Sequence, residues 1–558
     1  MPRMVIDDNS KIRVGVAIRA AFRRGYTTAD LRADAIAGLV IGVVALPLSM
    51  ALAIAAGAPP EHGLYTAIVA GLLIALTGGS TYSVSGPTAA FVVLLVPVTT
   101  RYGLRGLLVA TLLAGLIMLA MGIAGLGRLI QFIPHPVTTG FTAGIAVVIA
   151  ILQLGDLLGL GRLEGERIWD RLADLGARFA DVSIVDLGVG LFTLAVLIFW
   201  PRITKKIPGP LVGLTLATLV GMALAGSGNE PVTIQSLFGG IPQTIPRPSL
   251  PWSGAEIGWN EVMGLLPTAA AIALLGAIES LLCAVVADGM TGGRHDSDAE
   301  LIGLGIGNIV APFFGGFAAT GAIARTATAI RAGARSPITV VVHSVFLLVA
   351  MLVLAPVLGR IPMAGMAALL LIVAWNMSDF PHFRRIARIA PRSDVIVMVA
   401  CFALTVLFDM VVAVITGVVL AAFLFMRRMV EISGAQLVGG PEGHTVGGLP
   451  PGVVFYDVAG PLFFGAAEKA LGALSVVGEG VHTVIIDLED VPAVDATGLV
   501  ALESIVDRIN RNGAKVVISG VRPQPRRALE KAGFRDEPGK LEIGDDLDTT
   551  LRSLLKQA

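Results

Sequence analysis

The sequence predicts a polytopic α-helical membrane protein that carries a small soluble α/β domain at its C-terminal end. Of its 558 residues, 55% are hydrophobic and only 15% are charged, and the mean hydropathy is +0.81. Between Ala35 and Thr100, Glu61 and His62 are the only acidic or basic residues. A transmembrane helix needs about 20 mostly apolar residues, and this composition supplies many such stretches. Beyond residue 451 the hydropathy becomes that of a soluble domain.

The membrane region is expected at 35–430, after a cytoplasmic segment at 1–34. Two of its apolar segments, 87–99 and 324–334, are too short to cross a bilayer alone. The fourteen segments lie at 35–57, 63–79, 87–99, 105–126, 135–154, 184–200, 208–226, 262–287, 300–317, 324–334, 337–358, 362–376, 394–409 and 410–427.

The C-terminal part is expected to consist of a linker at 431–450 and a soluble domain at 451–558. Strands that alternate with helices are typical of a sheet covered by helices. The strands are predicted at 453–458, 482–488 and 514–519 and the helices at 466–474, 497–509 and 525–533, before a final short strand and helix.

Basic loops predict the orientation in the membrane. The N-terminal segment, 202–206, 384–392 and Arg427–Arg428 are rich in Lys and Arg, and with the segments above they all fall on one side. By the positive-inside rule that side is the cytoplasm. We therefore expect a multi-pass protein of the bacterial inner (plasma) membrane with both termini cytoplasmic. We expect no cleavable signal peptide.

Several function classes are disfavoured by composition. Lys plus Arg and Asp plus Glu both number 41, so no attraction to nucleic acid is implied. Cys283 and Cys401 both lie in apolar segments, which indicates neither a disulfide framework nor a metal site. No nucleophile, metal cluster or phosphate loop stands out outside the membrane, so we expect neither enzymatic activity nor a cofactor.

The stretch YSVSGPTAAF (82–91) interrupts a long apolar region. Non-helical backbone at membrane depth is tolerated only where it is buried in protein or lines a cavity. We expect extended chain at 83–86 and a half-helix that begins at Pro87, since proline suits the first helical turn. The free N–H groups and the positive dipole end of such a helix favour an anion.

A second break is predicted at ATGAIARTATAI (319–330), which is preceded by glycines. Paired interrupted segments in two halves of a chain indicate a transporter site. The two breaks lie at similar distances from Ala35 and Val262, which predicts two inverted repeats of seven segments each. The alternative is that 82–91 is a buried kink and 319–330 a loop.

Two ionisable residues in apolar segments are candidates for the transport chemistry. Glu279 stands in a stretch whose only other ionisable side chain is Cys283, and an acid at membrane depth is by default a functional hypothesis. We interpret it as a proton-coupling group, with hydrogen bonding to a neighbouring helix as the alternative. A sodium site is less favoured, because Na⁺ prefers oxygen ligands and Cys283 is one turn away.

Arg325, at the second break, adds a fixed positive charge for a small anion. The alternatives are that Arg325 pairs with Glu279 or caps a carbonyl group. Ser49 is expected to face the pocket, with Leu48 and Leu52 as its apolar wall. His343 is interpreted as an interior polar group whose hydrogen bonds are satisfied.

Residues 46–91 (LPLSMALAIAAGAPPEHGLYTAIVAGLLIALTGGSTYSVSGPTAAF) resemble the signature of the sulfate permease (SulP) and solute-carrier-26-type anion transporters. Three further blocks resemble that family at 276–292, 300–316 and 321–337. VDATGL (494–499) resembles the STAS domain, named for sulfate transporters and anti-sigma-factor antagonists. The likeness covers nearly the whole chain, and it is closest to bacterial members associated with uptake of C4-dicarboxylic acids.

The resemblance implies a core domain and a gate domain built from the two inverted repeats, a cytoplasmic STAS domain and a homodimer. It implies an anion between the N-termini of the third and tenth segments, lined also by the first and eighth. Ala324 and Thr88 stand where many members carry a serine and an aromatic residue, which is compatible with a carboxylate larger than a halide. The implied positions are Gly86, Pro87, Thr88 and Ala89 in the third segment, Ala324, Arg325 and Thr326 in the tenth, Leu48, Ser49 and Leu52 in the first and Glu279 in the eighth.

In the STAS domain, Ala496 follows Asp495, where phosphorylated members carry a serine. We therefore expect Asp495, Thr497 and Gly498 to form a loop and a helix start, with Asp495 or Thr497 as the cap. A surface for a cytoplasmic protein partner is the alternative.

The leading hypothesis is a secondary active transporter, embedded in the lipid bilayer, that takes up C4-dicarboxylates such as succinate together with protons by alternating access. Sulfate and bicarbonate stay open as substrates. The other hypotheses are an uncoupled anion channel of the same fold and a substrate sensor that signals through the STAS domain.

Overall fold

The structure of the chain is a computed structural model. It describes residues 14–130, 134–165, 167–204, 207–225, 230–252, 258–408, 410–432, 434–439, 449, 451–463, 467, 480–544 and 549. The chain divides into two compact units, Met1–Val418 and Val419–Ala558. We describe each unit by itself.

Every one of the fourteen predicted apolar segments contains a helix in the structure. In the described part of the chain, eight helices are long and apolar enough to cross a membrane. The helices are α1 (Val16–Arg23), α2 (Thr28–Ala55), α3 (Pro60–Tyr65), α4 (Gly71–Thr77), α5 (Ala89–Ile123), α6 (Gly127–Ile130), α7 (His135–Leu157), α8 (Ile168–Ala177), α9 (Ile184–Ile203), α10 (Gly209–Leu224), α11 (Ile234–Phe238), α12 (Trp259–Thr291), α13 (Ser297–Val310), α14 (Ile323–Arg331), α15 (Ile338–Leu358), α16 (Met363–Ser378), α17 (Phe380–Ile389), α18 (Arg392–Leu407) and α19 (Met410–Ile432).

The first long helix begins earlier than its apolar run. Thr27 caps α2, because its hydroxyl oxygen accepts a hydrogen bond from the Asp30 N–H at 3.2 Å. The Asp30 carboxylate in turn accepts from the Thr27 N–H at 3.0 Å. This reciprocal capping box satisfies two groups that a helix start leaves without partners. Residues 28–34, predicted to precede the membrane region, are therefore already helical.

The two predicted breaks pair with each other. Strand β1 (Ser85–Gly86) lies antiparallel to strand β2 (Thr320–Gly321). The Ala322 N–H extends the pair by donating to the Val84 carbonyl at 2.9 Å. Backbone that leaves the helix inside the membrane is thus hydrogen-bonded within the protein, as a bilayer requires. An antiparallel pair between equivalent strands of two halves is also the arrangement that inverted repeats would produce.

The half-helix after the first break differs from the prediction in its start. It begins at Ala89 instead of Pro87, because Thr88 is still extended, with φ −126° and ψ 154°. The predicted segments 87–99 and 105–126 are, as expected, two helical stretches within α5, separated by non-helical backbone at Gly103, where φ is 65° and ψ is −167°. Only glycine adopts such a conformation without strain. The half-helix after the second break, α14, is short as predicted.

The membrane helices pack across the two halves. Helix α13 packs against α5, α15 packs against α2, and α12 packs against both α5 and α14. Glycines allow these approaches: a Cβ atom on Gly38 of α2 would lie 2.6 Å from the Thr339 carbonyl oxygen of α15. Small residues commonly permit this close helix packing in membranes.

The C-terminal unit contains a five-stranded sheet. Its strands are β3 (Gly434–Gly439), β4 (Val453–Ala459), β5 (Thr483–Asp487), β6 (Lys515–Ser519) and β7 (Leu541–Ile543), in the spatial order β3–β4–β5–β6–β7. β3 is antiparallel to β4 and the other pairs are parallel. Helices α20 (Ala496–Arg511) and α21 (Pro523–Lys531) agree with the prediction. The predicted helix at 466–474 and the final helix lie outside the described residues, apart from Ala467 and Thr549.

Strand β3 lies inside the predicted linker at 431–450. It is an edge strand whose pairing depends on the backbone of β4, with Ala435 opposite Val458. An edge strand of this kind shows little hydrophobic alternation in its sequence, so the sequence predicts a linker at this position instead of a strand.

Candidate functional site

Arg325 lies in the first turn of α14 and reaches back to the first break. Its side chain is only 5% exposed. Nη2 donates a hydrogen bond to the Pro87 carbonyl, while Nη1 is buried and has no hydrogen-bond partner. A Cβ atom on Gly86 would lie 2.7 Å from Nη1. Glycine at position 86 therefore makes room for the guanidinium group beside β1.

The structure partly agrees with the alternative that Arg325 caps a carbonyl group. The side chain does cap a carbonyl group, that of Pro87, with one of its nitrogens. Among the described residues, no ion pair joins it to Glu279. The second nitrogen keeps a donor and a positive charge available inside the protein.

The starts of the two half-helices lie beside the β1–β2 pair. In α14 the Thr326 N–H donates to the Ala322 carbonyl at 2.9 Å, so Ile323, Ala324 and Arg325 precede the first intrahelical bond. Ala324 is exposed and Thr326 is buried. In α5, Ala89 is buried and follows Thr88 directly. Both starts add positive helix ends near the guanidinium group.

Glu279 lies on α12 and contacts the start of α5. Its Oε2 accepts a hydrogen bond from the Thr88 hydroxyl at 3.2 Å, and the side chain is half-buried. The Thr88 side chain accepts no hydrogen bond from the N–H groups of its own helix. Glu279 and Thr88 were both expected to line one site, and the structure brings their side chains within hydrogen-bonding distance.

A polar cluster joins the breaks to α12. The Cys283 sulfur lies 3.1 Å from the Thr326 hydroxyl oxygen and 3.7 Å from that of Ser83. The Thr326 oxygen also accepts the Val84 N–H at 2.9 Å. Sequence reasoning missed Cys283 as part of the site, although it follows Glu279 by four residues and so shares its helix face.

The predicted wall on α2 is buried to different degrees. Ser49 is fully buried, Leu52 is 2% exposed, and Leu48 is half-buried. Helix α2 packs against both α5 and α14. No hydrogen bond between described residues joins Ser49 to Arg325 or Glu279, and its hydroxyl oxygen has no partner.

Glu300 is a second buried acid that sequence reasoning missed. Its Oε2 accepts hydrogen bonds from the N–H groups of Gly79 at 3.0 Å and Ser80 at 2.9 Å. Its Oε1 accepts from the Ser280 hydroxyl at 3.1 Å. The carboxylate thereby fixes the chain that enters the first break. The available signal was an acid at the start of the apolar block 300–316, partly hidden by Asp296 and Asp298 just before it.

His343 is an interior residue as expected, but no protein atom in the described part of the chain satisfies its ring nitrogens. The residue is fully buried in α15, but neither ring nitrogen has a hydrogen-bond partner. The hydroxyl oxygens of Ser344 and Ser85 are also buried and unpartnered. A sequence pattern shows that a residue is interior but does not show which polar atoms of distant segments come within reach.

The predicted loop of the C-terminal unit is a capped helix start. The Asp495 carboxylate accepts the Gly498 N–H at 2.8 Å, so Asp495 is the cap of α20. Thr497 is exposed on the first turn. A Cβ atom on Gly498 would lie 2.3 Å from the Leu462 carbonyl oxygen, so glycine permits this close approach.

Comparison with known proteins identifies families for both units. The sulfate permease family matches residues 31–401, and the STAS domain matches residues 449–550. The chain is 40% identical over 529 residues to "Putative sulfate transporter YvdB" of Bacillus subtilis, covering 94% of this chain and 98% of that protein. It is 30% identical over 524 residues to "Bicarbonate transporter BicA" of Picosynechococcus, covering 90% of this chain and 91% of that protein.

Solved structures share the fold. The overall structure of SLC26A9 has a TM-score of 0.84 at 18% identity and covers 100% of this chain and 98% of that one. The transmembrane domain of a cyanobacterial bicarbonate transporter BicA has a TM-score of 0.62 at 29% identity, covering 71% of this chain and 98% of that one. These matches confirm the predicted polytopic helical fold with a C-terminal α/β domain. The chain therefore belongs to the sulfate permease family and is an anion transporter, not an enzyme, with a C-terminal STAS domain.

Proposed function

We propose that the protein is a secondary active transporter that moves a small anion together with a proton, and that the anion binds beside Arg325. The observation that carries this proposal is a buried guanidinium group with a free Nη1, next to the starts of two half-helices. The fixed charge and the free helix N–H groups all favour a negative ligand. Gly86, Pro87, Thr88, Ala89, Ala324, Arg325 and Thr326 are the proposed contacts, with Leu48, Ser49 and Leu52 as the wall.

Glu279 is the proposed proton-coupling group. Its carboxyl group touches Thr88, which directly precedes α5. A proton gained or lost at Glu279 therefore changes the charge next to the proposed anion. Holding a charged carboxylate at membrane depth costs free energy, so protonation and anion binding are expected to depend on each other.

Transport is proposed to occur by movement of a core domain that contains the two breaks against a gate domain. The proposed setting is the bacterial inner membrane, with both termini cytoplasmic and the protein a homodimer. The STAS domain is proposed to offer a surface to a cytoplasmic protein partner, with Thr497 exposed beside the capped start of α20.

C4-dicarboxylates are the first proposed substrate class, because the small side chains at Thr88 and Ala324 are compatible with a carboxylate larger than a halide. Sulfate and bicarbonate are the second, because relatives carry those names. An uncoupled channel of the same fold would not need Glu279 to exchange a proton. A sensor would need the STAS domain but no net transport.

Uptake by the purified protein in lipid vesicles separates these functions. Labelled succinate, sulfate and bicarbonate are each offered with and without an inward proton gradient. We expect one of them to accumulate faster with the gradient, and Glu279→Gln to abolish that acceleration. Glu261→Gln is the matched control on the same helix, since Glu261 pairs with Arg105 at 3.2 Å. A Glu279→Gln protein that transports at the wild-type rate at every pH would refute the coupling role.

A further inference from the structure

A group of unpartnered polar atoms lies on the α15 side of the first break. They are Nη1 of Arg325, both ring nitrogens of His343 and the hydroxyl oxygens of Ser85 and Ser344. These four residues come from β1, α14 and α15, and each is at most 5% exposed. We call this group the His343 cluster.

Packing brings α14 and α15 to the first break. Val84 of the first break packs with Val340 of α15 and Ala329 of α14 in one buried apolar cluster. His343 and Ser344 follow Val340 by about one turn and so lie on the same face of α15, and Arg325 precedes Ala329 by about one turn on α14.

Two glycines show which of these residues are neighbours. A Cβ atom on Gly71 would lie 2.9 Å from the Ser85 carbonyl oxygen and 4.0 Å from the Ser344 hydroxyl oxygen. The absence of a side chain at Gly71 therefore leaves space between these two serines. A Cβ atom on Gly86, which directly follows Ser85, would lie 2.7 Å from Nη1 of Arg325, so the guanidinium group lies beside the same strand.

Native proteins rarely leave buried polar atoms without partners. Water satisfies such atoms when a site offers it two to four polar partners, and this cluster offers five atoms on three elements. A metal cation is disfavoured by the positive charge of Arg325. A neutral imidazole needs one donor and one acceptor from its ligand. Water supplies both, whereas a sulfate or a dicarboxylate dianion supplies only acceptors. Bicarbonate also carries one O–H donor, and the addition of each anion in the test below distinguishes it from water.

We propose that Ser85, Arg325, His343 and Ser344 form a buried water-binding site that solvates Nη1 of Arg325 from the side of α15. Water there lowers the cost of keeping the guanidinium group charged at membrane depth. His343 is then a positioning residue that acts through Arg325. That consequence for transport rests on the proposed function, but the water site itself does not.

A double-mutant cycle on the purified full-length protein tests the site without measuring transport. The melting temperature is compared for the wild type, His343→Leu, Arg325→Met and the double variant, in buffer without sulfate, bicarbonate or succinate. We expect His343→Leu to lower the melting temperature by at least about 2 °C, since it removes both polar ring atoms. We expect no such loss in the Arg325→Met background, where there is no cation to solvate.

His343→Gln keeps polar atoms in the site and is expected to recover most of the stability. If His343→Leu fails to fold while the double variant folds, the proposal is also supported. An equal loss in both backgrounds would show a packing role and overturn it. An interaction between the two substitutions that appears only after one of the three anions is added would identify the anion, not water, as the ligand. Loss of transport has no bearing on this cycle, so its outcome is independent of the proposed function.

Discussion

At the scale of single residues, the glycine at position 86 determines where the Arg325 side chain can lie in the proposed anion site. Gly86 has no Cβ atom, and a Cβ atom there would lie only 2.7 Å from Arg325 Nη1. The sequence identified both residues because a glycine-proline pair and an arginine are conspicuous in apolar surroundings. It offered the capping of a carbonyl group by Arg325 as an alternative, but it did not identify Pro87 as the partner or predict that His343 would lack partners in the protein. Those facts depend on which distant segments meet, which no local pattern encodes.

Gly86→Ala is expected to reduce anion uptake in vesicles by at least about tenfold, equivalent to about 1.4 kcal/mol of binding free energy. The added methyl group would displace the guanidinium group from its place beside β1. Gly188→Ala is the matched control, because a Cβ atom on Gly188 in α9 would meet no heavy atom within 4 Å. Equal uptake by the two variants would argue against a role for the Arg325 position.

At the scale of elements, the two breaks are held by their pairing and by the helices around them. The sequence predicted both breaks and the extended chain between Ser83 and Gly86, because glycine, proline and serine discourage a helix in an apolar run. It also predicted separate segments at 87–99 and 105–126, and non-helical backbone at Gly103 divides α5 between them. It did not show what fixes the start of α2 to the start of α15.

Asp34 makes that connection. The side chain is fully buried and accepts hydrogen bonds from the Arg335 N–H at 2.6 Å, the Thr339 hydroxyl at 2.7 Å and the Tyr26 hydroxyl at 2.8 Å. Its carboxylate also accepts the Ser336 N–H at 3.1 Å. The turn before α15 is thereby tied to the first membrane helix.

Asp34→Asn is expected to destabilise the protein by about 2 kcal/mol or more, because the amide brings donors to face donors and bonds to charged groups are the stronger ones. The measurement is the melting temperature of the purified protein. Asp181→Asn changes an exposed aspartate and is expected to leave the melting temperature unchanged. A wild-type melting temperature for Asp34→Asn would show that the connection contributes little.

At the scale of the whole molecule, the chain combines a membrane unit and a C-terminal unit that divide at Val418 and Val419. The sequence predicted this order because hydropathy falls sharply after the last membrane helix. It placed the start of the soluble domain after β3, whose edge position left no clear signal. The pairing of Ala435 with Val458 shows that the sheet begins at Gly434.

Two truncations test where the C-terminal unit begins. Deletion of 434–558 removes the whole sheet, and we expect it to leave transport in vesicles near the wild-type rate. Deletion of 440–558 leaves β3 without β4, and an unpaired strand edge promotes aggregation. We therefore expect a lower yield of monodisperse protein from the second truncation by size-exclusion chromatography. Loss of transport in the first would mean that the STAS domain is needed for transport itself.

The central claim is that an anion binds where the starts of α5 and α14 meet Arg325. The most direct measurement is an experimental structure of the protein with selenate or a heavy-atom-labelled dicarboxylate bound in lipid nanodiscs. We predict anion density within hydrogen-bonding distance of the Arg325 guanidinium group and of backbone N–H groups at Ala89 or Ala324. Density elsewhere in the membrane unit, with the Arg325 region empty at saturating anion, would contradict the claim.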